Sequence, residues 1–110
     1  MVAHEDVALI SFTGSSETGS AVGALAEKTH KRVSLEMGGK NGQIVLADAD
    51  LDLALEGALW GAFGTAGQRC TATSRLMVDS NVHDAFVQRL CNAAEELKLG
   101  PGTDPETRVC

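Results

Sequence analysis

The order in which apolar runs and helical patterns alternate constrains the fold of this chain more than any other feature. Residues 7–12 form a short, mostly apolar run that stops at Gly14, which is typical of a buried strand. At residues 17–28 the apolar residues recur at helical spacing, and residues 32–36 then read as a second strand. A strand, a helix and a strand in about thirty residues predict a βαβ unit.

The same alternation continues through the rest of the chain. Residues 43–47 and 73–79 are apolar enough to predict a third and a fourth strand. Between them, residues 47–50 supply the N-cap of another helix, with Asp52 in its first turn. This helix is apolar almost all round, so we expect it to be largely buried, with Trp60 and Phe63 in the core rather than stacked on a cofactor.

A last helix, capped by Ser80 or Asn81, is expected to run until the Gly-Pro-Gly sequence at residues 100–102. The polar tail at residues 103–110 is expected to fray. The alternation as a whole predicts an α/β fold with parallel sheets built from βαβ units. The one seam between domains that the sequence offers lies at residues 37–39.

Length, charge and the N-terminal sequence exclude several classes of protein. At 110 residues the chain is one small domain or a piece of a larger one. The net charge of −6 argues against a surface for nucleic acids or anionic membranes, where a basic excess is usual. The polar, acidic N-terminus is unlike a signal peptide, so we expect a cytoplasmic protein.

The three cysteines, Cys70, Cys91 and Cys110, are widely separated along the chain. They form neither a CxxC pair nor a cluster with histidine, so we expect no metal site. An odd number at loose spacing does not indicate the disulfide framework of a secreted protein. Cys91, in the last helix, and Cys110, in the polar tail, are expected to be inert.

The turn after the first strand is a candidate anion site. Residues 14–19, Gly-Ser-Ser-Glu-Thr-Gly, link a strand to a helix, where free backbone N–H groups and the helix dipole favour a phosphate. The sequence is neither GxGxxG nor a Walker loop, because Ser20 stands where the lysine would be. An ordinary turn capped by Ser15 or Ser16 is the alternative.

Two side chains that could act in catalysis, Glu36 and Cys70, lie at or near the ends of predicted elements. Glu36 closes the second strand just before Gly38 and Gly39, and its apolar neighbours would partly desolvate the carboxylate, which suits a general base. Cys70 follows Arg69, whose positive charge favours the thiolate, the nucleophilic form. A solvated strand-end glutamate and a small buried cysteine are the alternatives.

Together these stretches resemble the aldehyde dehydrogenase superfamily. Residues 35–41, Leu-Glu-Met-Gly-Gly-Lys-Asn, look like the glutamate signature of that family, and residues 67–70, Gly-Gln-Arg-Cys, look like its cysteine signature. Residues 10–19 look like its cofactor turn, and the three motifs stand in the family's order and at its separations. The resemblance covers nearly the whole chain and implies part of an aldehyde-dehydrogenase-like fold.

The resemblance implies covalent catalysis beside a dinucleotide. Cys70 would attack an aldehyde to give a thiohemiacetal, a hydride would pass to NAD or NADP, and Glu36 would activate the water that releases the acid. The backbone N–H of Cys70 would form part of the oxyanion hole. Gly14 and Ser15 would contact the cofactor pyrophosphate, and Gly38 would leave room for the nicotinamide. The implied partner is a small-molecule aldehyde, without nucleic acid or membrane, and the implied assembly is a homo-oligomer.

By the same resemblance, residues 1–36 would end the cofactor-binding, Rossmann-like domain, and residues 37–110 would begin the catalytic domain. The chain would thus be a middle segment, without the adenosine-binding strands or the second oxyanion donor of the family. Gly42 also stands where a proline is common, and residues 65–73 are similar to semialdehyde-oxidising branches. We expect a truncated dehydrogenase segment with little or no activity of its own. A self-associating inactive fragment and a residual cysteine-dependent esterase are the alternatives.

Overall fold

The computed structural model describes all residues, Met1–Cys110. Contacts between residues divide the chain into a first unit, Met1–Gly39, and a second unit, Lys40–Cys110. The sequence expectation placed the boundary three residues earlier, after Glu36. In chain order the elements are β1 (Leu9–Gly14), α1 (Ser16–Glu27), β2 (Arg32–Met37), β3 (Asn41–Val45), α2 (Leu51–Phe63), a short 3₁₀ turn (Gly64–Gly67), β4 (Thr73–Val78) and α3 (His83–Glu95).

Each unit contains one two-stranded parallel sheet. In the first unit β1 pairs with β2, which sets Thr13 opposite Glu36 and Ile10 opposite Val33. In the second unit β3 pairs with β4. Parallel strands joined through helices are the predicted α/β architecture, so the predicted fold class is confirmed.

The helix of the first unit packs closely on its sheet because it carries glycine at the contact. Ser15 is the N-cap of α1, and its side chain accepts a hydrogen bond from the Thr18 N–H at 3.1 Å. Gly19 is buried against β2, where an added Cβ would lie 2.6 Å from the Met37 sulfur. Glycine allows this approach of helix to strand without displacing the Met37 side chain.

The second unit has a small core formed by Val45 from β3, Ala58 from α2 and Phe86 from α3. Six partly buried apolar residues pack around it: Leu51, Ala54, Leu55, Leu76, Val78 and Leu90. Phe86 is the largest fully buried side chain. Its burial is worth about 2–3 kcal/mol relative to exposure, which makes it the main apolar anchor of this unit.

The helix α2 is far less buried than its sequence predicts. Leu53, Trp60 and Phe63 are 67%, 55% and 38% exposed, and Ala58 is the one buried residue of the helix. The sheet beside α2 has two strands, so it covers one face of the helix and leaves the opposite apolar face in solvent. The predictions of a largely buried helix and of core positions for the two aromatic residues are therefore wrong.

The C-terminal part of the chain also differs from expectation. The N-cap of α3 is Val82, without a side-chain hydrogen bond, and Asn81 instead binds the Asp79 carboxylate. The tail does not fray, because the N–H groups of Arg108 and Val109 donate to the Lys98 carbonyl. These backbone bonds hold the tail beside the segment that follows α3.

The helices are short throughout the chain. The longest, α2 and α3, have 13 residues each. None combines the length and apolar character that a helix needs to cross a bilayer.

Candidate functional site

Four of the five predicted site residues gather at one edge of the first sheet. In the parallel register Thr13 pairs with Glu36 and Gly14 pairs with Met37, so both strands end at the same level. Ser15 follows β1 directly, and Gly38 follows β2 directly. The carboxyl edge of this sheet therefore carries the candidate base together with the candidate phosphate turn.

The start of α1 offers backbone donors at this edge. The first N–H groups of a helix lack intrahelical acceptors. Thr18 N–H is capped by the Ser15 hydroxyl, and Gly19 N–H donates to the Ser15 carbonyl at 2.9 Å. The N–H groups of Ser16 and Glu17 have no acceptor within the chain, and both residues are exposed. Free donors at the positive end of the helix dipole fit a phosphate.

The other two residues at this edge are open to solvent. Glu36 is exposed and makes no salt bridge, so the expected partial desolvation of its carboxylate is not observed. Gly38 is also exposed, and an added Cβ there would meet no atom within 4 Å. Packing within the chain therefore does not require glycine at position 38, and the space beside it is free for a ligand.

The fifth predicted residue, Cys70, lies in the second unit on the loop between the 3₁₀ turn and β4. Its thiol is free and exposed, so the alternative of a small buried cysteine does not hold. The backbone N–H of Cys70 has no acceptor within the chain. An exposed thiol and a backbone N–H that is free to donate are what a nucleophile with an oxyanion donor requires.

The backbone that leads to Cys70 is strained. Thr65 and Ala66 adopt left-handed conformations, with φ of 52° and 54°, and Gly67 follows with φ of 69°. Each non-glycine residue in this region costs about 1–3 kcal/mol, so the surrounding contacts must hold the loop in place. Such strain is frequent at functional sites.

One set of those contacts comes from Arg69. Its guanidinium lies 3.3 Å from the centroid of the Trp60 ring and donates from Nη2 to the Trp60 carbonyl at 2.9 Å. The sequence suggested that the positive charge of Arg69 would stabilise the Cys70 thiolate. In the structure the Arg69 guanidinium contacts Trp60 of α2 instead. Arg69, Trp60 and Thr71 line an open groove of about 480 Å³, so both chain neighbours of Cys70 border it.

A second set of contacts comes from Asn41, which sequence reasoning did not single out for chemistry. The Asn41 side-chain amide donates to the Cys70 carbonyl at 2.6 Å and to the Ala72 carbonyl at 3.2 Å. Asn41 is the last residue of the motif at residues 35–41, and its place in that motif is the one sequence feature that could have marked it as functional. The hydrogen bond from Asn41 to Cys70 could not be predicted from the sequence, because 29 residues separate the two.

The whole chain matches the model of the aldehyde dehydrogenase family, over residues 1–110. The chain belongs to the aldehyde dehydrogenase family. This confirms the resemblance that the three motifs carry.

Individual relatives share close to half of the aligned residues. The 2-hydroxymuconic semialdehyde dehydrogenase of Pseudomonas putida is 48% identical over 103 residues, which are 94% of this chain and 21% of that protein. The betaine aldehyde dehydrogenase of Bacillus subtilis is 46% identical over 107 residues, which are 97% of this chain and 22% of that protein. The chain thus spans about a fifth of the length of these aldehyde dehydrogenases.

Solved structures of the family show the same fold. The crystal structure of betaine aldehyde dehydrogenase from Staphylococcus aureus, in complex with NAD⁺, matches with a TM-score of 0.96 and 41% identity. The match covers 99% of this chain and 22% of that one. The chain therefore has part of the aldehyde dehydrogenase fold.

Proposed function

We propose that this chain is the segment of an NAD(P)-dependent aldehyde dehydrogenase that supplies the nucleophile and the base for oxidising an aldehyde to a carboxylic acid. The observation that carries the proposal is Cys70, an exposed free thiol on a strained loop within the cysteine motif of the family. A relative with NAD⁺ bound supports the choice of a nicotinamide cofactor.

The first step belongs to Cys70. Its thiolate attacks the aldehyde carbon, a carbon–sulfur bond forms, and the carbonyl electron pair moves onto oxygen. The Cys70 N–H, which has no other acceptor, donates to that oxygen as negative charge develops. A bound NAD or NADP would supply the hydride acceptor; as the hydride leaves carbon with its bonding pair, the electron pair on oxygen would re-form the carbonyl and leave a thioester on Cys70.

The second step belongs to Glu36. Its carboxylate takes a proton from water, the water oxygen attacks the thioester carbon, and the thiolate of Cys70 leaves with the electron pair. Exposure of Glu36 gives water direct access to the carboxylate. The free N–H groups of Ser16 and Glu17, with Gly14 and Ser15 shaping the turn, would hold the cofactor pyrophosphate, and Gly38 would admit the nicotinamide.

The experiment separates the chemistry of Cys70 from full dehydrogenation. The purified chain is incubated with NAD or NADP and a panel of aliphatic aldehydes and semialdehydes, and NADH or NADPH is followed by absorbance. We expect little or no turnover, because the purified chain spans only about a fifth of the length of the aldehyde dehydrogenases it matches. Robust turnover would contradict this expectation.

Acylation of the thiol tests the nucleophile directly. p-Nitrophenyl acetate should acylate Cys70 with release of nitrophenolate, and peptide mass spectrometry locates the acetyl group. The variant Cys70→Ala should lose the reaction, whereas Cys91→Ala is the matched control, because Cys91 is also free and exposed. Acylation that persists in Cys70→Ala would refute the proposed role of Cys70.

The exposed apolar residues favour a second candidate, an inactive fragment that self-associates. Ile44, Leu53, Trp60 and Met77 are all exposed in the second unit, and a stable interface buries about 800 Å² per partner. Light scattering over a concentration series should show dimers or larger species, and Leu53→Asp should shift them toward monomer. A monomer at every concentration would exclude this candidate.

A further inference from the structure

The Asn41 side-chain amide donates to two carbonyls of the loop that carries Cys70. These are the carbonyls of Cys70 and Ala72, at 2.6 and 3.2 Å, so one amide bridges the carbonyls on either side of Thr71. An amide group carries two donor hydrogens, and this arrangement can use both. We call this pair of hydrogen bonds the Asn41 clamp.

The sheet is irregular at the residue that forms the clamp. Asn41 pairs with Thr73, but its neighbour Gly42 pairs with Arg75, so Ser74 is an extra residue on β4. Such a shift in register leaves one residue of the ladder unpaired and changes the direction of the neighbouring side chains. The shift is therefore a second observation, independent of the hydrogen bonds, that sets Asn41 apart from the rest of the strand.

The clamp acts on the backbone of the nucleophile rather than on its sulfur. Holding the Cys70 carbonyl restricts the Cys70–Thr71 peptide plane and ψ of Cys70, and so limits the direction of the Cα–Cβ bond that carries the sulfur. The loop before Cys70 is strained at Thr65 and Ala66, so it needs such external contacts to keep one conformation. Arg69 supplies the contact to α2, and Asn41 supplies the contact to β3.

We propose that Asn41 is a positioning residue, which orients the Cys70 side chain through the clamp. This inference rests on the proposed nucleophilic role of Cys70. Asn41 is exposed, so water can replace its amide donors when the side chain is removed. Loss of Asn41 therefore changes the orientation of Cys70 far more than the stability of the fold.

The test compares Asn41→Ala with Asn41→Leu. Leucine has nearly the shape of asparagine but has no hydrogen-bond donor. In acylation the Cys70 thiolate attacks the ester carbon of p-nitrophenyl acetate, the carbon–sulfur bond forms, and nitrophenolate leaves with the electron pair of the broken carbon–oxygen bond. In both variants we expect the maximal acylation rate to fall about tenfold, equivalent to about 1.4 kcal/mol, with the half-saturating ester concentration unchanged within twofold. The matched control is Asn81→Ala, an exposed asparagine whose side chain binds Asp79 outside the loop.

Hydrogen exchange supplies a readout that does not depend on chemistry. The Ala72 amide, which donates to the Arg69 carbonyl within the loop, should exchange several-fold faster in both Asn41 variants, while the amides of α3 and the urea midpoint of unfolding stay unchanged. Unchanged exchange in this loop, or an acylation rate equal to that of the unaltered chain, would overturn the clamp. If the unaltered chain is not acylated at Cys70, the proposed function fails, and the exchange result alone then decides whether the clamp exists.

Discussion

Replacing Arg69 by alanine should loosen the loop of Cys70 while leaving the core of the second unit intact. The substitution removes the stacking of the guanidinium on Trp60 and the hydrogen bond to the Trp60 carbonyl. A cation–π contact at a partly exposed site is worth about 0.5–1 kcal/mol, and a hydrogen bond from a charged group about 1.5 kcal/mol at the lower end of its range. Together they predict a loss of about 2 kcal/mol in the local opening free energy of the loop.

The chain offers a direct assay, because Trp60 is its single tryptophan. The guanidinium covers one face of the indole ring, so Arg69→Ala should raise the acrylamide quenching constant of the fluorescence and speed hydrogen exchange at residues 65–70. About 2 kcal/mol corresponds to a roughly 30-fold change in the opening equilibrium. Arg69→Lys keeps the charge but loses the planar donor fork, so it should recover part of the protection.

The matched control is Arg75→Ala, since Arg75 is an exposed arginine of β4 that makes no salt bridge or side-chain hydrogen bond. This variant should leave quenching and loop exchange as they are in the unaltered chain. The reasoning is refuted if Arg69→Ala behaves like Arg75→Ala in both measurements, because Trp60 would then hold the loop without the arginine.

Two further substitutions test the packing and the strain. Phe86→Ala should lower the free energy of unfolding of the second unit by about 3–5 kcal/mol, measured in urea. Val87→Ala, on the same helix but exposed, should change this free energy little. Equal losses in the two variants would contradict the assignment of Phe86 to the core. Gly67→Ala should destabilise the second unit, because φ of Gly67 is +69° and the new Cβ would lie 2.8 Å from the Ala62 carbonyl oxygen. Ala66→Gly should stabilise the same unit by about 1 kcal/mol, because glycine adopts a positive φ without strain. Thermal unfolding shows whether the two shifts in midpoint have opposite signs.

Much of the fold could be read from local patterns. The βαβ order, a cap of α1 by Ser15 or Ser16 and a cap of α2 within residues 47–50 were predicted, because they depend on residues close together in the sequence; the structure places the caps at Ser15 and Asp50. The same holds for the order of the three motifs that led to the family. Element ends were less predictable: β1 was expected at residues 7–12 but spans Leu9–Gly14, since pairing with β2 determines which residues form the ladder.

Burial could not be read from the sequence in the same way. Helix α2 has the composition of a buried helix, yet Leu53 and Trp60 lie in solvent, because exposure depends on how many strands and helices cover each face. Composition shows which side chains of a helix are apolar, but it does not show which other strands and helices pack against them.

The sequence by itself determined the chemistry that this chain can bring to a site, namely a cysteine, a glutamate and a helix start that suits a phosphate. Only the tertiary structure decided what surrounds Cys70: the Asn41 amide on its carbonyl, and an Arg69 guanidinium held on Trp60 rather than on the thiolate. The reason is physical. Asn41 and Cys70 are 29 residues apart, and they meet because the parallel register of β3 and β4, with its shift at Ser74, brings one beside the other.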